Sequence, residues 1–254
     1  MVLKDMKELR INLTKEKLHN SEIVKVPLGP FSSDLIEHFS TLNLDGIWLE
    51  GEHGPVDFSN IPDLTRSCDL SNLTPIVRVH QNDPGVIYRT LDLGAQGIVV
   101  PHVNTKEEAL AVVDASKFHP IGQRGSYTSR QGIGVENYFS KANDQTLVIV
   151  LIEDILAVNN IDEILEVDNI DVFFVAPGDL AQTMGFLGGA SNPEVKQVVK
   201  NTIKKIVSKN KIAGTLSPLN EINDFIDLGV TFIAFSWISW IQTGAKSLNE
   251  NIKK

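Results

Sequence analysis

Eight short apolar runs punctuate this chain, at 23–26, 46–50, 74–79, 97–100, 146–152, 171–175, 212–216 and 231–235. They are rich in Val, Ile and Phe, and turn residues bound them, which is the pattern of buried parallel strands. Between most of them the spacing becomes helical. Val195, Val198, Val199, Ile203 and Ile206 recur at helical intervals over 193–208, placing an apolar stripe on one face. Thr105-Lys106-Glu107-Glu108 has the form of a capping box and predicts a helix to about Ala115. Asp34, with Glu37 three residues later, predicts another capped start. The last segment, 238–254, reads as a final helix.

Leu91-Asp92-Leu93-Gly94-Ala95-Gln96-Gly97-Ile98-Val99-Val100 is echoed by Ile226-Asp227-Leu228-Gly229-Val230-Thr231-Phe232-Ile233-Ala234-Phe235. In each, a helix is expected to end at a glycine in the left-handed conformation, with a strand starting almost at once. Repeated strand–helix units in 254 residues suit a (β/α)8 TIM barrel of the α/β class, which takes about 250 residues. No Pro- or Ser-rich linker interrupts the chain, so 1–254 reads as one domain. The least regular stretch, 116–144, is longer than an ordinary connection, and such loops are often functional.

Composition narrows the function. The formal charge of −9 argues against a nucleic-acid partner. The single cysteine, Cys68, excludes an internal disulfide and a multi-cysteine metal site. No run reaches the roughly 18–20 apolar residues of a membrane span. The N-terminal Met1-Val2-Leu3-Lys4-Asp5-Met6-Lys7 lacks a signal-peptide core. The expectation is a cytoplasmic protein with no membrane partner.

Barrel enzymes gather their chemistry at the C-terminal ends of the strands. Val148-Ile149-Val150-Leu151-Ile152 runs into Glu153, and Val172-Phe173-Phe174-Val175 runs into Ala176-Pro177-Gly178-Asp179. Glu153 and Asp179, delivered by successive strands, can share Mg²⁺ or Mn²⁺, which prefer oxygen ligands. Either acid can instead cap a helix, and Asp154 competes with Glu153 for the ligand role. Glu50-Gly51-Glu52-His53-Gly54-Pro55 closes the second strand. His53 there can move protons near neutrality or merely cap a carbonyl. Arg78, near the end of the third strand, needs an anionic partner. That partner is a substrate oxygen, or Glu50 or Glu52 on the neighbouring strand. His102, just after the fourth strand, can line the mouth. Gly185-Phe186-Leu187-Gly188-Gly189-Ala190-Ser191 lacks the lysine and spacing of a phosphate loop and reads as a flexible connection.

Taken together, the segments GEHGP at 51–55, PIVRV at 75–79, LDLGAQGIVVPHV at 91–103, GQRG at 122–125, IED at 152–154 and APGDLAQTMG at 176–185 resemble the HpcH/HpaI aldolases. These are metal-dependent pyruvate aldolases, and the resemblance runs from about residue 26 to 241. It implies a class II aldolase that cleaves a 4-hydroxy-2-oxo acid to pyruvate and an aldehyde, with Mg²⁺, Mn²⁺ or Co²⁺ as cofactor. It also implies a homo-oligomer, a hexamer or trimer, whose C-terminal helix is exchanged between subunits. By the same resemblance Glu153 and Asp179 are the metal ligands and Arg78 binds pyruvate. His53 is the acid–base, and Asp92 is the acid that works with it, reaching a site in an adjoining subunit. Backbone amides around Gly178 and Asp179 hold the substrate carboxylate.

Three positions depart from the family pattern. Leu151 stands where the family usually has Gln, which removes a polar group near the keto oxygen. His102 or Gln123 are the candidates to replace it, and Leu151→Gln is expected to raise activity. Glu50 stands for a shorter Asp, and Ser236-Trp237-Ile238 for a Gly-x-Asp pattern. Two rival readings remain: a CoA-thioester lyase of the malyl- or citramalyl-CoA type, and a silent barrel that binds ligands.

Overall fold

The computed structural model describes residues 7–252. The N-terminal residues 1–6 and the last two residues of the expected C-terminal helix lie outside the described part.

All eight expected strands form, each within two residues of its expected bounds. They are β1 (Val24–Leu28), β2 (Gly46–Glu50), β3 (Thr74–Arg78), β4 (Gly97–Val100), β5 (Leu147–Ile152), β6 (Val172–Val175), β7 (Ala213–Leu216) and β8 (Phe232–Ser236). Every neighbouring pair is parallel, and β8 pairs back onto β1 from Val24↔Phe232 to Leu28↔Ser236, closing the barrel. β1 runs two residues further than expected, through Pro27. Proline removes one ladder donor without preventing extended backbone.

The helices are α1 (Leu13–His19), α2 (Ser33–Phe39), α3 (Ile61–Leu70), α4 (Pro84–Asp92), α5 (Lys106–Ser116) and α6 (Tyr138–Gln145). Then come α7 (Ile155–Asn159), α8 (Ile161–Ile164), α9 (Pro177–Thr183), α10 (Pro193–Ser208), α11 (Ile222–Asp227) and α12 (Ile238–Asn251). The capping box at Thr105 is present, with both reciprocal bonds. The start of α2 corrects the expectation. Ser32 is the cap, accepting from the Leu35 amide, and Asp34 falls inside the first turn. An acid there still favours the helix through its dipole. Gly94 and Gly229, one residue past the C-caps of α4 and α11, hold φ of +118° and +93°, so the echoed units end as expected.

Strand alternation sorts the core into two shells. Ile47, Leu49, Val77, Ile98, Val100 and Phe173 face outward and pack under the helices. Trp48, Ile76, Val99, Ile149, Leu151, Phe174 and Phe232 fill the barrel interior, and Leu18 of α1 joins them. Trp48 lies 5.2 Å from Phe174, and Phe174 lies 6.0 Å from Phe232, ring centre to ring centre.

The irregular stretch 116–144 carries a 3₁₀ turn (Arg130–Gly132) and most of α6. It packs against the other end of the barrel. Arg124 bonds Asp92 at the end of α4, Arg130 bonds Asp69 near the end of α3, and Gln131 bonds the Gly94 carbonyl. Helices end where the next strand begins, so this long connection covers the N-terminal face. No described helix is long and apolar enough to cross a membrane.

Candidate active site

The period of two that fills the barrel also builds the site. Trp48 points inward, so Glu50 does; Ile76 points inward, so Arg78 does; Leu151 points inward, so Glu153 does. Glu50 and Arg78 are register partners on β2 and β3. Three strand ends thus place two acids and one guanidinium at the C-terminal mouth.

Arg78 is 8% exposed and shared among three carboxylates. Nη2 meets Glu52 and lies 3.3 Å from Glu153 Oε2, while Nη1 lies 3.6 Å from Glu50 Oε2. The structural ion pair and the link to the candidate metal ligand therefore coexist.

Glu153 is 1% exposed. Its Oε1 accepts the His102 backbone N–H at 2.9 Å. Burial raises its pKa, and the charge of Asp179 adds to the rise; Arg78 and His102 oppose it. Asp179, half-buried in the first turn of α9, is therefore an electrostatic neighbour. Asp154 is resolved as a cap, accepting the Leu156 amide at 2.8 Å.

His53 is exposed at the rim. Among the described residues its ring bonds no carbonyl, and Nε2 lies 3.9 Å from Glu52 Oε2. Its backbone N–H and that of Glu52 both donate to Glu50 Oε1, at 3.1 and 2.9 Å.

Asp92 is not brought to His53 within this chain. It lies in the last turn of α4, at the opposite end, bonded to Arg124 at 2.6 Å. Gln123 sits at that end too, its amide bonded to the Asp114 carbonyl in α5 near that helix's end. Of the two candidate replacements for the donor missing at Leu151, only His102 is in the site. Its ring nitrogens lie 3.5 Å from Glu52 and 3.6 Å from Glu153, on a backbone with φ of +52°. Leu151 itself is 1% exposed within the apolar interior.

Two residues gain a place that the sequence reading did not give them. Glu52, expected as a structural partner of Arg78, stands between Arg78, His53 and His102. Trp48 is the other, its indole N–H reaching Glu50 Oε2 at 3.1 Å. Strand parity identifies Trp48 as inward-facing; the Arg78 pairing of Glu52 was open to the sequence, but its contacts with His53 and His102 depend on the turn.

The donor set fits a divalent cation. Glu50, Glu52 and Glu153 share one arginine and Asp179 adds a fourth acid near Glu153, leaving the mouth strongly acidic. Among the described residues, no three His, Cys, Asp or Glu side chains converge to cage a metal. A cation held by Glu153 and Asp179 would complete its shell with water or substrate oxygens, as Mg²⁺ usually does.

The HpcH/HpaI aldolase/citrate lyase model matches residues 28–237. The chain belongs to that family. It is 32% identical over 231 residues to the 5-keto-4-deoxy-D-glucarate aldolase of Escherichia fergusonii, covering 89% of each chain. With the aldolase of the same name from Salmonella arizonae it shares 34% over 215 residues, covering 83% of this chain and 84% of the relative. Among solved structures, an HpcH/HpaI aldolase/citrate lyase family protein from Burkholderia cenocepacia J2315 superposes with a TM-score of 0.89 at 24% identity, covering 96% of this chain and all of that one. The citrate lyase beta subunit complexed with oxaloacetate and magnesium from M. tuberculosis superposes with a TM-score of 0.58 at 14% identity, over 88% of this chain and 95% of that one. These structural likenesses establish the fold. Membership makes this HpcH/HpaI family protein a carbon–carbon lyase of the aldolase type, as the motifs led one to expect.

Proposed function

We propose that the protein is a class II pyruvate aldolase, cleaving a 4-hydroxy-2-oxo acid to pyruvate and an aldehyde with Mg²⁺ or Mn²⁺ bound by Glu153 and Asp179. The observation that carries this is a buried carboxylate, Glu153, meeting Arg78 beside Asp179 at the barrel mouth, with His53 at the rim. The fold neighbour complexed with oxaloacetate and magnesium is consistent with the choice of ion.

A cation held by Glu153 and Asp179 would supply Lewis-acid polarisation of the 2-keto group. Arg78 then presents its planar fork to the oxygen that gains charge as the C3–C4 bond breaks. His53 takes the proton of the 4-hydroxyl, the aldehyde leaves, and protonation at C3 completes pyruvate. The amides of Gly178 and Asp179 open α9 and have no intrahelical acceptor, which suits them to the substrate carboxylate. A Cβ at Gly178 would meet nothing within 4 Å, so the space beside them is open. Asp92 would serve His53 of a neighbouring copy in a homo-oligomer, a trimer or hexamer, in the cytoplasm.

The test is pyruvate release from a panel of 4-hydroxy-2-oxo acids, with and without Mn²⁺ after chelation. Metal-dependent release supports the reading. Full activity in the chelated sample defeats it. Turnover of CoA thioesters alone favours the malyl- or citramalyl-CoA type, and pyruvate binding without turnover favours a silent barrel.

A further inference from the structure

The turn that carries His53 is built around one side chain. Glu50 ends β2 facing the barrel interior, and its carbonyl accepts the Val56 amide at 3.3 Å, closing the turn. Its Oε1 accepts the amides of Glu52 and His53. The turn wraps so tightly that a Cβ at Gly54 would stand 2.6 Å from the Glu50 carbonyl and 3.0 Å from its side chain. The other oxygen, Oε2, accepts the Trp48 indole N–H at 3.1 Å and lies 3.6 Å from Arg78. Trp48 is 3% exposed, and Phe174 holds its ring. A fixed donor in the barrel interior thereby fixes a carboxylate, and the carboxylate fixes two successive backbone amides, those of Glu52 and His53.

We infer that Trp48 and Glu50 form a positioning unit for His53, setting the turn so that the imidazole stands over the mouth. Neither touches the reacting atoms in this scheme; they act through the turn. Two residues apart on one strand, both side chains face inward, and the longer reach of glutamate lets one carboxylate span the indole below and the turn above.

A double-mutant cycle on the full-length, Mn²⁺-loaded protein tests this, with Trp48→Phe, Glu50→Gln and the pair. Phe keeps an aromatic ring against Phe174 and removes the N–H. Gln turns an NH₂ toward either the indole or the turn amides, so one set of contacts is lost. Amide hydrogen exchange at Glu52 and His53 should speed up about five- to tenfold in Trp48→Phe, the worth of one net hydrogen bond. The kinetic arm rests on the aldolase reading: kcat should fall by a similar factor while KM and Mn²⁺ affinity hold. Adding Trp48→Phe to Glu50→Gln should change little more.

Wild-type exchange and kcat in Trp48→Phe would overturn the inference. So would a lower Tm with kcat intact, the mark of a merely structural ring. If the wild-type protein releases no pyruvate, the aldolase reading fails and the exchange arm still decides this one. If Trp48→Phe does not fold, unchanged exchange in Glu50→Gln overturns it.

Discussion

The backbone N–H of His102 donates to Oε1 of Glu153 at 2.9 Å. This bond ties the loop after β4 to the end of β5 and holds a buried carboxylate by the oxygen that Arg78 does not take. It explains why a non-glycine residue is tolerated at φ of +52°, a conformation that costs on the order of 1 kcal/mol or more.

Glu153→Gln and Asp179→Asn should each lower Mn²⁺ affinity at least tenfold and reduce pyruvate release by a larger factor, while circular dichroism stays unchanged. Because burial opposes the charge on Glu153, Glu153→Gln should not lower Tm of the metal-free protein. Calorimetric titration and melting curves check both points. Unchanged Mn²⁺ affinity in both variants would remove these residues from the metal site.

Arg78→Met should be costly to the fold. It would leave Glu50, Glu52 and Glu153 without their common cation, and breaking a buried ion pair from one side costs about 3–5 kcal/mol. Arg78→Lys should fold, because the charge remains, yet lose most activity with the planar fork. Urea melts separate the two effects from specific activity. A fully active Arg78→Lys would make Arg78 a structural residue only.

Leu151→Gln should now behave differently from the expectation drawn from the motif alone. Leu151 is 1% exposed among Trp48, Phe174 and other apolar side chains, where an amide has no described partner. Burying it without one costs about 1–3 kcal/mol. We expect a lower Tm and no gain in pyruvate release. A gain would show that the amide reaches the substrate past Glu153.

Stability should rise with pH between about 7 and 10.5. Burial, with the Lys15 charge next, pulls the pKa of Lys117 down to about 7. Below that value the ammonium is present in both folded and unfolded chains, and the whole cost of burying it is borne. Above it, up to the ordinary lysine value, the unfolded chain binds the extra proton, so each step up in pH favours the folded state. Lys117 donates to the Asn143 and Thr146 carbonyls. Lys117→Met should lose those bonds and flatten the slope of Tm against pH across this window. An unchanged slope would show that another group sets it. On the acid side Asp171 acts in the same sense, its contribution also growing as pH rises. Burial raises its pKa, but the His19 hydrogen bond and the Lys15 and Lys117 charges hold it lowered, so its contribution is lost as pH falls through that lowered value.

The barrel was legible because its determinants are local. Apolar runs of strand length, glycines at helix ends and the Thr105 capping box each act within a few residues. Strand parity, also local, already places Glu50, Arg78 and Glu153 on one inward face. Motif order then carried the family, and with it the aldolase class. What lay beyond the sequence depended on chain segments far apart meeting in space. Glu52 enters the site because a turn folds back onto Glu50, and His102 because the β4 loop crosses to Glu153, 51 residues away. The stretch 116–144 joins a helix to a strand, so element order puts it on the N-terminal face. Only the tertiary structure says what it meets there: Arg124 holds Asp92 at the far end from His53 of the same chain. How deep Leu151 sits was likewise set by the closed barrel, which leaves it 1% exposed in the interior cluster with Trp48 and Phe174.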